Sequence, residues 1–239
     1  MEGRGEIHPW QPTIAALEAE QQRLAAAPMP AWSLPRLAAG GLLPSIAASY
    51  VCFGRGGSGP GATGDTGWAG AAWFRAGRVA ATAAAQAVAT AAYDRGHLAL
   101  REGPLHEAAL RGLPGLPEIL IVDATGRDHP RRAGLALHLG ARLGVASVGV
   151  TNRLLVAAGE WPADTPGATA PFHLEGEIVG FWLRVRGGVR PLAVHAAWRT
   201  DPATALAIVR TCVEAQRTPE PLRTARRLAR EARTRATAC

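Results

Sequence analysis

Lysine is absent from this chain of 239 residues, so all 26 basic side chains are arginine. Residues 54–66, GRGGSGPGATGDT, are rich in glycine but carry no G-x-x-x-x-G-K-[ST] pattern, and a flexible hairpin connection is the expected reading. Cysteine is scarce. Cys52, Cys212 and Cys239 have no metal-type spacing and read as reduced thiols of a cytoplasmic protein. No stretch approaches the roughly 18 clean apolar residues a membrane helix needs. The opening MEGRGEIHPW lacks a basic start followed by an apolar run, so no secretory signal is expected.

What is present suits a globular core. Apolar residues make up 48% of the chain, and the length fits one domain, 1–239. Its N-terminal part, 1–44, reads as a helix and connector. The net charge of +7 points toward nucleic acid, but its distribution weakens that reading. Residues 217–239 hold seven arginines against Glu220 and Glu231, a local +5 that leaves about +2 for the rest. That basic terminal helix is a solvated face or a dock for an acidic partner chain.

Along the chain, residues 13–27 have helical composition and spacing, bounded by Pro12 and Pro28. Residues 45–53 read as a strand. Segments 68–74 and 78–84 flank Ala76-Gly77 as a hairpin. A short helix is expected over 105–110, a buried strand over 119–122, a helix over 133–143 and a second buried strand over 145–150. Segments 177–185 and 190–194 flank Gly187-Gly188 as another hairpin. A helix over 202–216 has Asp201 as its cap, and a last helix covers 221–235. The class is α/β, with antiparallel hairpins joined to a parallel centre. His138, His173, His195, Trp10, Trp161 and Trp182 read as packing residues rather than ligands or base-stacking platforms.

Four blocks carry more than packing information. They are Gly96 to Glu102 (GHLALRE), Val122 to Arg132 (VDATGRDHPRR), Ser147 to Val150 (SVGV) and Gly188 to Asp201. In this order they resemble the endonuclease V family, with HPRR the most specific of them. The resemblance implies a ribonuclease-H-like fold, a mixed five-stranded sheet with helices on both faces. It also implies Mg²⁺-dependent cutting of DNA or RNA near deaminated bases, since carboxylates gather a hard cation that activates water. Glu102 and Asp123 fall on two of the family's acidic positions, and His129 and Arg131 on the HPRR run.

The chain departs from the pattern where the chemistry is concentrated. Tyr50 stands where the first-strand aspartate belongs, Trp198 at the late histidine and Asn152 at the lysine. Ala92-Tyr93-Asp94-Arg95 replaces the lesion-probing wedge. A phenol is a poor Mg²⁺ ligand, and an indole cannot shuttle a proton. The expectation is therefore a family member without the nuclease metal site. It would serve as a metal-independent enzyme or enzyme subunit for a small polar metabolite carrying an amine and an anion, in a biosynthetic setting. Glu102, Asp123 and His129 would be catalytic, and Tyr50, Tyr93, His97, Arg101, Arg131, Arg132 and Trp198 would line the substrate site. No metal and no cofactor are expected, Mg²⁺ entering only under the nuclease reading. The alternatives are a nucleic-acid-binding or residual inosine-directed nuclease, and a non-catalytic partner subunit.

Overall fold

The computed structural model describes residues 9–28, 31–32, 44–54, 61–214 and 216–237. Most of the expected connector after the first helix, part of the glycine-rich loop and Cys239 lie outside these residues.

Helix α1 (Ile14–Ala26) begins where the Thr13 hydroxyl accepts the Ala16 N–H at 3.2 Å. Strand β1 (Ile46–Phe53) follows, then β2 (Thr66–Arg75) and β3 (Arg78–Val88). The hairpin between β2 and β3 turns at Ala76 and Gly77, both with positive φ (48° and 73°), as a tight hairpin requires.

Helix α2 (Leu98–Arg111) is longer than expected, because Pro104 sits inside it and masks its first half in the sequence. Proline removes the N–H that would serve the Leu100 carbonyl. The Thr90 hydroxyl donates to that carbonyl at 2.8 Å instead, so the helix runs through.

Strand β4 (Ile119–Val122), helix α3 (Leu135–Leu143) and strand β5 (Ala146–Thr151) come next. Leu120 and Val122 pack into the core beneath α1, α2 and α3, and Ile119 and Ile121 into the core beneath the last two helices. Both faces of β4 are covered, which is why its sequence is apolar throughout.

Strands β6 (Thr169–Leu174), β7 (Glu177–Leu183) and β8 (Leu192–Ala196) precede α4 (Pro202–Arg210) and α5 (Glu220–Thr237). The sheet order is β3-β2-β1-β4-β5-β8-β7-β6. The first five strands form the expected ribonuclease-H-like mixed sheet, with β1, β4 and β5 parallel. The expectation of five strands is corrected to eight, since β8, β7 and β6 continue the sheet antiparallel from β5. Asp201 caps α4 through the Thr204 N–H at 2.7 Å, and α4 ends short of the expected boundary.

Candidate functional site

Parallel strands bring their carboxyl ends to one edge, where α/β proteins commonly place ligands. Ser49 lies opposite Val122, and Val122 opposite Gly149, so Tyr50 and Asp123 are neighbours at that edge. Successive strand residues face opposite ways. Ser49 turns toward α2, where its hydroxyl meets His106 Nδ1 at 2.8 Å. Tyr50 turns toward α5.

Arg226 of α5 closes this edge. Its Nη2 donates to Asp123 Oδ2 at 3.1 Å, and its guanidinium lies over the Tyr50 ring, 4.9 Å from the centroid. Arg217 stands nearby and donates to Asn152 Oδ1 at 2.6 Å. Burial pushes the Arg217 pKa below its usual value, with Arg190 and Arg226 adding to the effect and Asp123 opposing it. Arg226 thus meets the Asp123 carboxylate directly, and Arg217 adds positive charge nearby.

Beside Asp123 opens a cavity of about 180 Å³. Leu98, Ala99, Leu135 and Leu155 give it apolar walls, and Tyr93, Asp123, Thr125, His129 and Thr151 give it polar edges. A pocket with few polar groups on an apolar frame suits one planar heterocycle.

The HPRR run organises this pocket from behind. The Gly96 carbonyl accepts from Gln21 Nε2 (3.3 Å), His129 Nε2 (3.0 Å) and Arg131 Nη2 (3.0 Å). Gly96 has φ of 90°, a conformation open to glycine but costly for other residues. His129 Nδ1 in turn accepts the Arg131 N–H at 3.2 Å. Burial lowers the His129 pKa to about 4, so the ring is neutral at physiological pH. Arg131 also reaches Glu18 of α1 at 3.0 Å and Gln21 Oε1 at 2.6 Å. Arg132, with a positive φ of 52°, is held by Glu175 and Glu177 of the β6–β7 hairpin.

The expected site residues therefore divide. Asp123, His129 and Tyr93 line the cavity, and Tyr50 adjoins it through Arg226. Glu102 approaches His106 Nε2 at 3.7 Å, on the α2 side of the sheet. His97 lies between Asp94 (2.9 Å) and Glu18 (2.8 Å). Arg101 is buried, bound to Asp65 at 2.6 Å and to the Ala62 and Ala91 carbonyls, and stacked on Phe53. Trp198 is not brought to the pocket. It follows β8, which runs antiparallel, and packs beside Gly140 and Ser147 at the other end of β5.

Sequence reading passed over Arg226, Arg217, Gln21 and Thr151. The arginines were visible as tail charge, but nothing in the pattern paired Arg226 with an acid 103 positions away. Among the described residues, no group of three or more His, Cys, Asp or Glu is placed to hold a metal.

A mixed sheet ordered 3-2-1-4-5, with acids at a strand end and on the preceding helix, defines a ribonuclease-H-like protein. The chain belongs to the endonuclease V family, whose model matches residues 64–227. It is 43% identical over 141 residues to the endonuclease V of Roseiflexus sp. strain RS-1, a match covering 59% of this chain and 64% of that protein. The matched region thus spans less than two thirds of that curated relative. The crystal structure of endonuclease V from Streptomyces avermitilis superposes with a TM-score of 0.80 at 30% identity, covering 95% of this chain and 96% of that one. The Ciona intestinalis enzyme, crystallised with a 24mer DNA containing an inosine followed by a ribo-adenosine, shares the fold. Its TM-score is 0.73 at 18% identity, over 93% of this chain and 98% of that one.

Proposed function

We propose that this chain recognises a deaminated, inosine-like nucleotide in a nucleic-acid strand without cutting it by metal-dependent chemistry. The base would enter the 180 Å³ cavity beside Asp123, and the adjoining phosphate would meet Arg226. The observation that carries this reading is the guanidinium on Asp123. A divalent cation needs carboxylates free to converge on it. Here Asp123 meets an arginine and its β1 neighbour is a phenol, while Glu102 turns to His106 on the α2 side. These donors do not fit Mg²⁺, and no step is routed through one. A fixed guanidinium suits a phosphate oxygen through charge-assisted hydrogen bonds. Family membership supports the substrate class.

The test is binding and cleavage of an inosine-containing oligonucleotide, with Mg²⁺, with Mn²⁺ and with a chelator. Binding should be equal in all three and no product should form. Arg226→Ala should weaken binding by roughly tenfold, the loss of one charge-assisted contact. Single-turnover cleavage with Mg²⁺ or Mn²⁺, abolished in Glu102→Ala, would overturn the proposal.

A second reading is the small metabolite carrying an amine and an anion. The juxtaposed Asp123 carboxylate and Arg226 guanidinium favour it, because they offer a partner to each charge. Tight binding of a free metabolite, with no preference for an inosine strand, would move the assignment there.

A further inference from the structure

Behind the pocket lies a buried line of three side chains from three segments. Asp128 and His195 are fully buried, and Thr151 lines the cavity. His195 Nε2 lies 2.8 Å from Thr151 Oγ1, and His195 Nδ1 lies 3.6 Å from Asp128 Oδ2. The resemblance to a nucleophilic triad fails on its protons. Thr151 Oγ1 is also 2.7 Å from the Arg153 carbonyl oxygen, which has no proton to give. The single hydroxyl proton must therefore lie between those two oxygens. His195 Nε2–H then donates to Oγ1 and its Nδ1 is bare. Asp128 spends its oxygens elsewhere, accepting the N–H groups of Leu155, Val156 and Ala157 at 2.7–2.8 Å. Burial holds the His195 pKa down to about 4, so the ring is neutral.

Thr151 thus has its proton committed and one lone pair taken. A second lone pair is left at the cavity wall. Of the neighbouring polar groups, Arg95 is a donor held on the Leu155 carbonyl. His129 uses both nitrogens on Gly96 and Arg131, and Gln21 is bound to Gly96 and Arg131. Asp123 contributes another acceptor.

Resting on the base-recognition reading above, we infer that Thr151 is a specificity-determining acceptor, locked by His195, that selects heterocycles presenting a ring N–H. A deaminated purine carries that N–H at ring position 1, whereas an unsubstituted purine has a lone pair there and would meet Thr151 acceptor to acceptor. His195 is the positioning residue for this contact.

The test compares binding of one single-stranded oligonucleotide containing inosine, purine riboside or no modified base at a central position. The wild-type chain should prefer inosine to purine riboside by about fivefold, the worth of one neutral hydrogen bond. Thr151→Val, near-isosteric but without the oxygen, should bind both strands equally, and Thr151→Ser should restore the preference. Thr151→Ala is the second variant should valine lower the melting temperature, and it should lose the preference likewise. A preference that survives in Thr151→Val, or equal weakening toward both strands, overturns the Thr151 assignment and leaves base recognition standing. A wild-type chain that binds the inosine strand no better than the unmodified one overturns base recognition, and this assignment with it.

Discussion

His138 is wholly buried on α3, and neither ring nitrogen has a hydrogen-bond partner among the described residues. It stacks near Trp10, 4.9 Å between centroids, and burial lowers its pKa to about 4. A free imidazole titrates near 6.5. Between these values the unfolded chain binds more protons than the folded one, so folding loses stability as pH falls. His129 and His195, likewise lowered to about 4, act in the same direction. Stability is therefore full above about 6.5 and drains away as pH drops toward 4. His138→Leu should raise stability by about 1 kcal/mol at pH 7, because it removes an unsatisfied buried polar ring. It should also flatten the decline toward pH 5, as read by denaturant melts at both values. Asp128 is the opposite case, a buried carboxylate that accepts three backbone N–H groups. Asp128→Ala should cost about 3 kcal/mol, and hydrogen exchange at residues 155–157 should quicken.

At the scale of elements, α5 is seated by a missing side chain. A Cβ on Gly70 of β2 would run into the Ala225 carbonyl oxygen and the Ala229 nitrogen, which are backbone and cannot rotate away. Gly70→Ala should cost about 1–3 kcal/mol by overpacking. It should also lift Arg226 from Asp123, so that nucleic-acid binding falls even at temperatures where the variant is folded. A variant that loses stability but binds normally would separate α5 packing from the site. Elements were legible where local rules decide them. β4 shows as a continuous apolar run, α4 through Asp201 and Pro202, and the β2–β3 hairpin through Gly77. Strand β6 was not legible, because it is half-exposed, contains Pro171 and pairs only with β7 in the sheet. The first half of α2 was hidden because the compensation for Pro104 comes from Thr90, outside the helix. The site was half legible for the same reason. Asp123 and His129 sit in a motif, whereas Arg226 and the His195–Thr151 contact are made by segments far apart in sequence.

For the whole molecule, charge placement decides how a nucleic acid would approach. The +5 carried by residues 217–239 is not spread over the surface. α5 lays its apolar side, with Leu222, Ala225 and Ala229, on the sheet and turns Arg227 and Arg230 outward, beside the helix turn that holds Arg226 on Asp123. The outer face of α5 and the cavity edge at Asp123 thus form one basic approach. A strand whose base enters the cavity would run its backbone along this face. Each phosphate contact releases counterions, so the logarithm of affinity should fall linearly with the logarithm of salt, with a slope of about −0.7 per contact on single strands. Arg227→Ala with Arg230→Ala should therefore shallow that slope by about 1.4 while keeping the inosine preference, because neither residue lines the cavity. Arg226→Ala should shallow the slope and weaken inosine binding together. If the double variant keeps the wild-type slope, the strand does not cross α5, and Arg226 serves to hold Asp123 rather than to meet a phosphate.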